Sequence, residues 1–168
     1  MKKTFVAAAL SVMLVFSSAF PAMAAQRVNS AWAESYISSA DSMGIIPSGI
    51  SNIDMTRNIT REEFCELVYN TVITVAKQNS IKITYNAREA HFYDTDSKAV
   101  MMLYRMEIIA GRTSTRFAPK ENITREEAAV VLDKTAEYLG LVRFTNSDRF
   151  TDSRHISEWA YKSVNNVC

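Results

Sequence analysis

Two arginines are the residues in this chain best suited to chemistry, and each sits in the same hexapeptide. Asn58-Ile59-Thr60-Arg61-Glu62-Glu63 returns unchanged as Asn122-Ile123-Thr124-Arg125-Glu126-Glu127, 64 residues further on. A guanidinium is permanently charged, and its planar fork of donors fits a carboxylate or phosphate. The residues around it have a separate role. Thr60-x-x-Glu63 and Thr124-x-x-Glu127 have the form of a capping box, in which the threonine hydroxyl accepts from the amide three residues on and the glutamate reaches back to the threonine amide. Such a cap stabilises a helix start by about 1 kcal/mol. It leaves the arginine unexplained, because a cation in the first turn opposes the helix dipole by a few tenths to about 1 kcal/mol. Two readings stay open. The neighbouring glutamates neutralise the arginine, or free amides, the dipole and the guanidinium converge on a bound anion.

The elements that must carry these residues read as helices joined by irregular connections. Trp32, Tyr36, Ile37, Ala40 and Met43 fall at helical spacing and predict a helix over Ala31 to Met43, broken by Gly44. Thr60 to about Lys77 predicts a longer helix with Phe64, Leu67, Val68, Thr71, Val72 and Val75 inward. Ile81 to Tyr85 alternates and is rich in β-formers, which predicts extended chain. Ser97 to Glu107 predicts a short helix, and Ile108 to Asn122 a loop with turns at Gly111 and Pro119. Thr124 to Leu139 predicts a second long helix, with Ala128, Val131, Leu132, Thr135 and Leu139 inward and Gly140 at its end. Ile156 to Val167 predicts a last helix. The order short helix, loop, long helix therefore runs twice, and Phe150-Thr151-Asp152 and Trp159 begin a third round that stops at Cys168. A period of this length suits a repeated supersecondary unit.

Met1-Lys2-Lys3, the apolar run Val6 to Phe16 and Ala22-Met23-Ala24 have the three parts of a secretory signal, with cleavage expected after Ala24. The run is shorter than the roughly 20 residues of a membrane span. Cleavage removes Lys2 and Lys3 and no acid, leaving 17 basic residues against 18 acidic. That balance disfavours nucleic acid as a partner. Of the two cysteines, Cys65 falls in a helix interior and reads as a small buried apolar residue rather than half of a Cys65–Cys168 bridge.

With these residues in view, the chain resembles S-layer homology repeats. The resemblance lies in Trp32-Ala33, Gly44-Ile45-Ile46 and Ile59-Thr60-Arg61-Glu62; in Phe92-x-Asp94, Ile108-Ile109-Ala110-Gly111, Phe117-x-Pro119 and Ile123-Thr124-Arg125-Glu126; and in Phe150-Thr151-Asp152 with Trp159-Ala160. It implies a mainly α fold of tandem helix-loop-helix repeats in a pseudo-threefold bundle. Residues 1–24 would be the signal peptide, 25–80 and 81–145 two repeats, and 146–168 an incomplete third. It further implies binding of anionic, often pyruvylated, secondary cell-wall polysaccharide, with location at the cell wall or surface layer. Arg61 and Arg125 map to the anion-gripping arginine, Trp32 and Trp159 to a groove-lining tryptophan, and Gly111 to the loop glycine. The second repeat has Thr95 in the tryptophan's place, and the first has Ser48 in the glycine's.

Read without the resemblance, Trp32 and Trp159 favour core packing. Asp94-Thr95-Asp96-Ser97 fails as a calcium loop, because Ala99 and Arg105 stand where glycine and a bidentate glutamate are needed. Asp96 or Ser97 is the expected helix cap instead. His91 and His155 belong to no metal-ligand spacing. No catalytic residue, cofactor or metal is assigned. The function expected is non-catalytic anchoring. The rivals are a secreted repeat protein that assembles with other surface-layer proteins, and the anchor portion of a larger secreted enzyme.

Overall fold

Both capping boxes form as drawn from the sequence. The computed structural model describes residues 28–86, 92–141, 150–151 and 153–167, and the signal segment and Cys168 lie outside these. Thr60 Oγ1 accepts from the Glu63 amide at 3.3 Å while Glu63 Oε2 accepts from the Thr60 amide at 3.0 Å. The matching bonds at Thr124 and Glu127 are 3.2 and 3.0 Å. Each box opens a long helix, α2 (Arg61–Gln78) and α4 (Arg125–Tyr138). Three shorter helices complete the described set: α1 (Glu34–Ser42) after a tight turn at Ala31–Ala33, α3 (Lys98–Arg105) and α5 (Glu158–Val167). The fold is mainly α.

The short helices pack on the long ones, α3 on α2 and α5 on α4. Cys65, Val68, Val72 and Ala76 recur at helical spacing along α2 and bury against Val100 and Leu103 of α3. Ile108 and Phe117 bring the following loop into the same core, which Val131 and Leu139 close from α4. Phe92 packs edge-on to Tyr104 at 5.1 Å and tilted on Phe117 at 5.7 Å.

Ile81 to Tyr85, expected as extended chain, forms no helix and pairs with no strand among the described residues, and Ile81 and Ile83 pack against the core. Two expectations are corrected. Leu132, expected inward, is 45% exposed, whereas Asp133 is buried. The carboxylate explains this, since it accepts from Ser163 Oγ at 2.9 Å and Asn166 Nδ2 at 3.1 Å and so joins α4 to α5. Trp32 and Trp159 are 78% and 60% exposed, so neither packs in the core. Ser97 is the cap residue of α3, although its side chain makes no cap bond.

Gly44 and Glu107 stand at matching places, each followed by two isoleucines, and both take left-handed backbone at φ 69° and 62°. Glycine does so freely, while a residue with a Cβ is strained by about 1–2 kcal/mol. The Asn86 Nδ2 bond to Glu107 Oε1 at 2.8 Å offsets part of that. Glu107→Gly is therefore expected to stabilise the chain by about 0.5–1 kcal/mol in a denaturant titration, and a lower midpoint would contradict the account.

The cap at α2 also sets an acid limit. Bidentate Arg57, at 2.5 and 3.1 Å, pulls the Glu63 carboxyl from the usual 4.5 to about 2; burial opposes this and the Thr60 amide and hydroxyl add to it. A depressed carboxyl contributes stability above its unfolded pKa and loses it as pH falls through the folded one. Stability should therefore decline between about pH 4.5 and 2, and Glu63→Gln, which can keep the box, should flatten that decline in unfolding measured across this range. An unchanged profile would refute it.

Candidate anion-binding cleft

The first-turn amides of α2, free in the anion reading of the sequence, are all bonded within the protein. Arg61 N donates to Glu121 O at 2.8 Å and Glu62 N to Pro119 O at 3.1 Å. Glu63 N and Phe64 N return to Thr60. The neutralising reading fails as well. Glu63 is held by Arg57, and Glu62 accepts from Thr95 Oγ1 at 2.5 Å and pairs with Lys120 at 3.2 Å. What remains for an anion is the Arg61 guanidinium, and its surroundings come from far along the chain.

Arg61 is buried, with its guanidinium 4.7 Å from the centroid of the Phe117 ring. Nε donates to Phe117 O at 3.2 Å, Nη2 to Ala110 O at 3.3 Å, and Nη1 faces Glu127 Oε1 at 3.4 Å. Cation–π contact of this kind adds about 0.5–2 kcal/mol. The loop that supplies those carbonyls is held from below by Asp94, which accepts from the Phe117 amide at 2.9 Å and the Ala118 amide at 2.8 Å. Those two bonds support Ala118 at φ 63°. Gly111 permits the close return of the loop: a Cβ there would meet Phe92 Cε1 and Thr113 O at 2.5 Å and Arg116 O at 2.7 Å.

Above Arg61 lies an open cleft of about 210 Å³. Arg61, Gly111, Arg112, Glu127, Lys134 and Trp159 line it, over a floor that includes Cys65, Ile108 and Phe117. Trp159 reaches the cleft because α5 is fixed to α4, where Glu126 Oε1 accepts from the Ser157 amide at 2.7 Å and Asp133 binds Ser163 and Asn166. Burial pushes the Cys65 thiol up to about 12, so it is an uncharged lining group and no nucleophile. Burial pushes the Glu127 carboxyl up as well, but the Thr124 amide, Arg112 and Arg61 outweigh it and hold the carboxyl below the usual range.

Three of the residues singled out from the sequence, Arg61, Gly111 and Trp159, thus share one cleft. Arg125 and Trp32 lie outside it, both exposed. Arg125 makes no ion pair or hydrogen bond among the described residues. Arg112, Lys134 and Asp133 are the site and support residues that sequence reasoning passed over, and Asp94, quoted there only within a motif and as a failed calcium loop, is the support of the loop. The adjacency of Arg112 to Gly111 was the available signal. Among the described residues no group of His, Cys, Asp and Glu could hold a metal ion, and no helix is long and apolar enough to cross a membrane.

This loop and the capped start of α4 fall inside a match to a known family, over residues 93–129. Residues 93–129 match the S-layer homology domain. The matched span contains Gly111, Phe117, Thr124 and Glu127, while Arg61 and Trp159 lie beyond its two ends. An endoglucanase of Bacillus sp. (strain KSM-635) is 27% identical over 154 residues, which cover 88% of this chain and 15% of that protein. A surface-layer 125 kDa protein of Lysinibacillus sphaericus is 24% identical over 164 residues, covering 94% of this chain and 13% of that protein. The chain therefore spans a small part of the length of these relatives. S-layer homology domains anchor proteins at the cell surface.

Because the glycine of the S-layer homology domain is enclosed by a ring and two carbonyls, Gly111→Ala should destabilise the chain by about 1–3 kcal/mol, read as a lower unfolding midpoint. A neutral effect would show that the loop does not need this close return.

Proposed function

We propose that this chain is a non-catalytic module that holds its protein at the outside of the cell by binding anionic secondary cell-wall polysaccharide, with a pyruvate-ketal carboxylate as the acid recognised. One observation carries the reading. A buried guanidinium, a loop glycine and an exposed tryptophan from three distant segments meet at one cleft, and the loop that carries the glycine lies in the span that matches the S-layer homology domain. Each has a use for an acidic sugar. Arg61 offers the N–H donors left over from its two carbonyl bonds to a carboxylate. Trp159 offers an aromatic face to the apolar face of a pyranose. Gly111 keeps the cleft wall at backbone height.

The reading includes two tandem repeats and the start of a third, bounded as given above, with 1–24 as a signal peptide. It includes Arg125 and Trp32 as further polymer contacts at a more open position. The relatives bear on it through their printed names, a surface-layer protein and an endoglucanase, which share this region across different whole proteins.

Arg61 also supports the fold, so the test separates the two roles. Arg61→Lys keeps the charge and loses the fork, and Trp159→Ala removes an exposed ring. Each is expected to weaken pull-down by purified wall polysaccharide about tenfold or more; Trp159→Ala should leave the melting temperature close to that of the unaltered chain, and Arg61→Lys, which loses the bonds to the Phe117 and Ala110 carbonyls, should lower it. Full pull-down by both variants, with the fold intact, would defeat the assignment.

A further inference from the structure

Glu127 occupies the place in the cleft where an acidic ligand would go. Its two oxygens have different duties. Oε2 accepts from the Thr124 amide at 3.0 Å and completes the helix cap. Oε1 faces Arg61 Nη1 at 3.4 Å and accepts from Arg112 Nη1. The two guanidiniums of the cleft therefore converge on one oxygen of one internal carboxylate. Glu127 and Arg61 are largely shielded, with side chains 15% and 9% exposed. Arg112 is tied on its other edge to Glu121 Oε2 at 3.1 Å, which aims it at this point. Lys134 adds a third cation to the lining, with no ion pair among the described residues.

We infer that Glu127 is an internal stand-in for the ligand's carboxylate, and that an acidic sugar binds by taking Arg61 and Arg112 over from Glu127 Oε1. This rests on the wall-polysaccharide reading and adds to it a second ligand contact, Arg112, and a residue that sets specificity. The exchange swaps one carboxylate for another at the same two donors. A neutral sugar cannot make it, because uncovering the shielded Arg61 guanidinium without supplying an anion leaves its charge uncompensated. Glu127 therefore acts against neutral glycans as well as partly against the acidic one, and discrimination arises from that penalty. The tether through Oε2 lets the side chain give up the arginines without giving up the cap.

Glu127→Gln tests the effect, since glutamine serves at this position of a capping box; its oxygen keeps the Thr124 amide bond, while the charge and the Oε1 acceptor facing the two arginines are lost. The probes are a pyruvate-ketal N-acetylhexosamine glycoside and the same glycoside without the ketal, titrated calorimetrically into the full chain. The acidic probe is expected to bind Glu127→Gln about 3- to 10-fold more tightly than the unaltered chain, from loss of one nearby like charge, with a steeper salt dependence. Arg112→Gln should weaken it. A crystal structure of the unaltered chain with the acidic probe should show the Glu127 carboxylate withdrawn from both arginines, which tests the exchange without any variant. Equal or weaker binding by a folded Glu127→Gln chain, or a complex in which Glu127 still holds both arginines, would overturn this inference and leave the parent reading standing. Absence of binding to the unaltered chain and to every variant would overturn the parent reading and this inference with it.

Discussion

The structure depends on one buried cation. Arg61 leaves the first turn of α2 and ends between two loop carbonyls, the Phe117 ring and the Glu127 carboxylate. A charge so placed is tolerated only when its donors are met and a counter-charge is near, and here every partner comes from 49 or more residues downstream. The same contact closes the α2 start. The Arg61 and Glu62 amides run to Glu121 and Pro119 carbonyls, and Ile123 N returns to Ile59 O at 3.2 Å. The two hexapeptides thus meet each other, joined by an isolated bridge between Thr60 and Asn122. The first copy is completed by the second.

That asymmetry explains why identical residues do different work. Glu63 and Glu127 make the same cap bond, yet Glu63 is neutralised by Arg57 within its own segment, and Glu127 serves the cleft through Arg61 and Arg112. Glu62 and Glu126 each reach the segment that follows, Glu62 to Thr95 and Glu126 to the Ser157 amide. Arg61 is buried under the following loop and Arg125 is exposed. A repeated sequence fixes the local bonds of each copy. Its neighbours decide the rest.

Legibility in the sequence follows the same line between local and distant. The helix starts at Thr60 and Thr124 and the stop at Gly140 rest on bonds and backbone preferences within a few residues, and the long helices begin and end within one residue of expectation. The inward face of α4 was misread because apolar periodicity counts Asp133 as a surface residue, whereas Ser163 and Asn166 on another helix satisfy its carboxylate. Both tryptophans follow the apolar pattern and still face outward. Ile81 to Tyr85 has the alternation of a strand without a strand to pair with. Of the cleft, the residues themselves pointed to Arg61 and the family resemblance added Gly111 and Trp159, but neither could show that they meet, since 98 residues separate Arg61 from Trp159. The carbonyl partners of Arg61 carry no side-chain signature at all.

Cleft and core are therefore not separable parts. Phe117 is a fully buried core ring, its carbonyl accepts from Arg61, and its amide is held by Asp94. Gly111 lines the cleft and admits Phe92 beneath it. Anything that loosens the α2–loop contact must alter both the stability of the chain and the position of its exposed donors. The converse holds by linkage: a ligand that binds only the assembled cleft draws the α2 start, the loop and α5 together, and the apparent stability of all three rises with its concentration. A guanidinium already fixed by two carbonyls and a ring loses little freedom on meeting a carboxylate, so more of the contact energy is available for binding. In this chain the bonds that make Arg61 look structural are the ones that prepare it to bind.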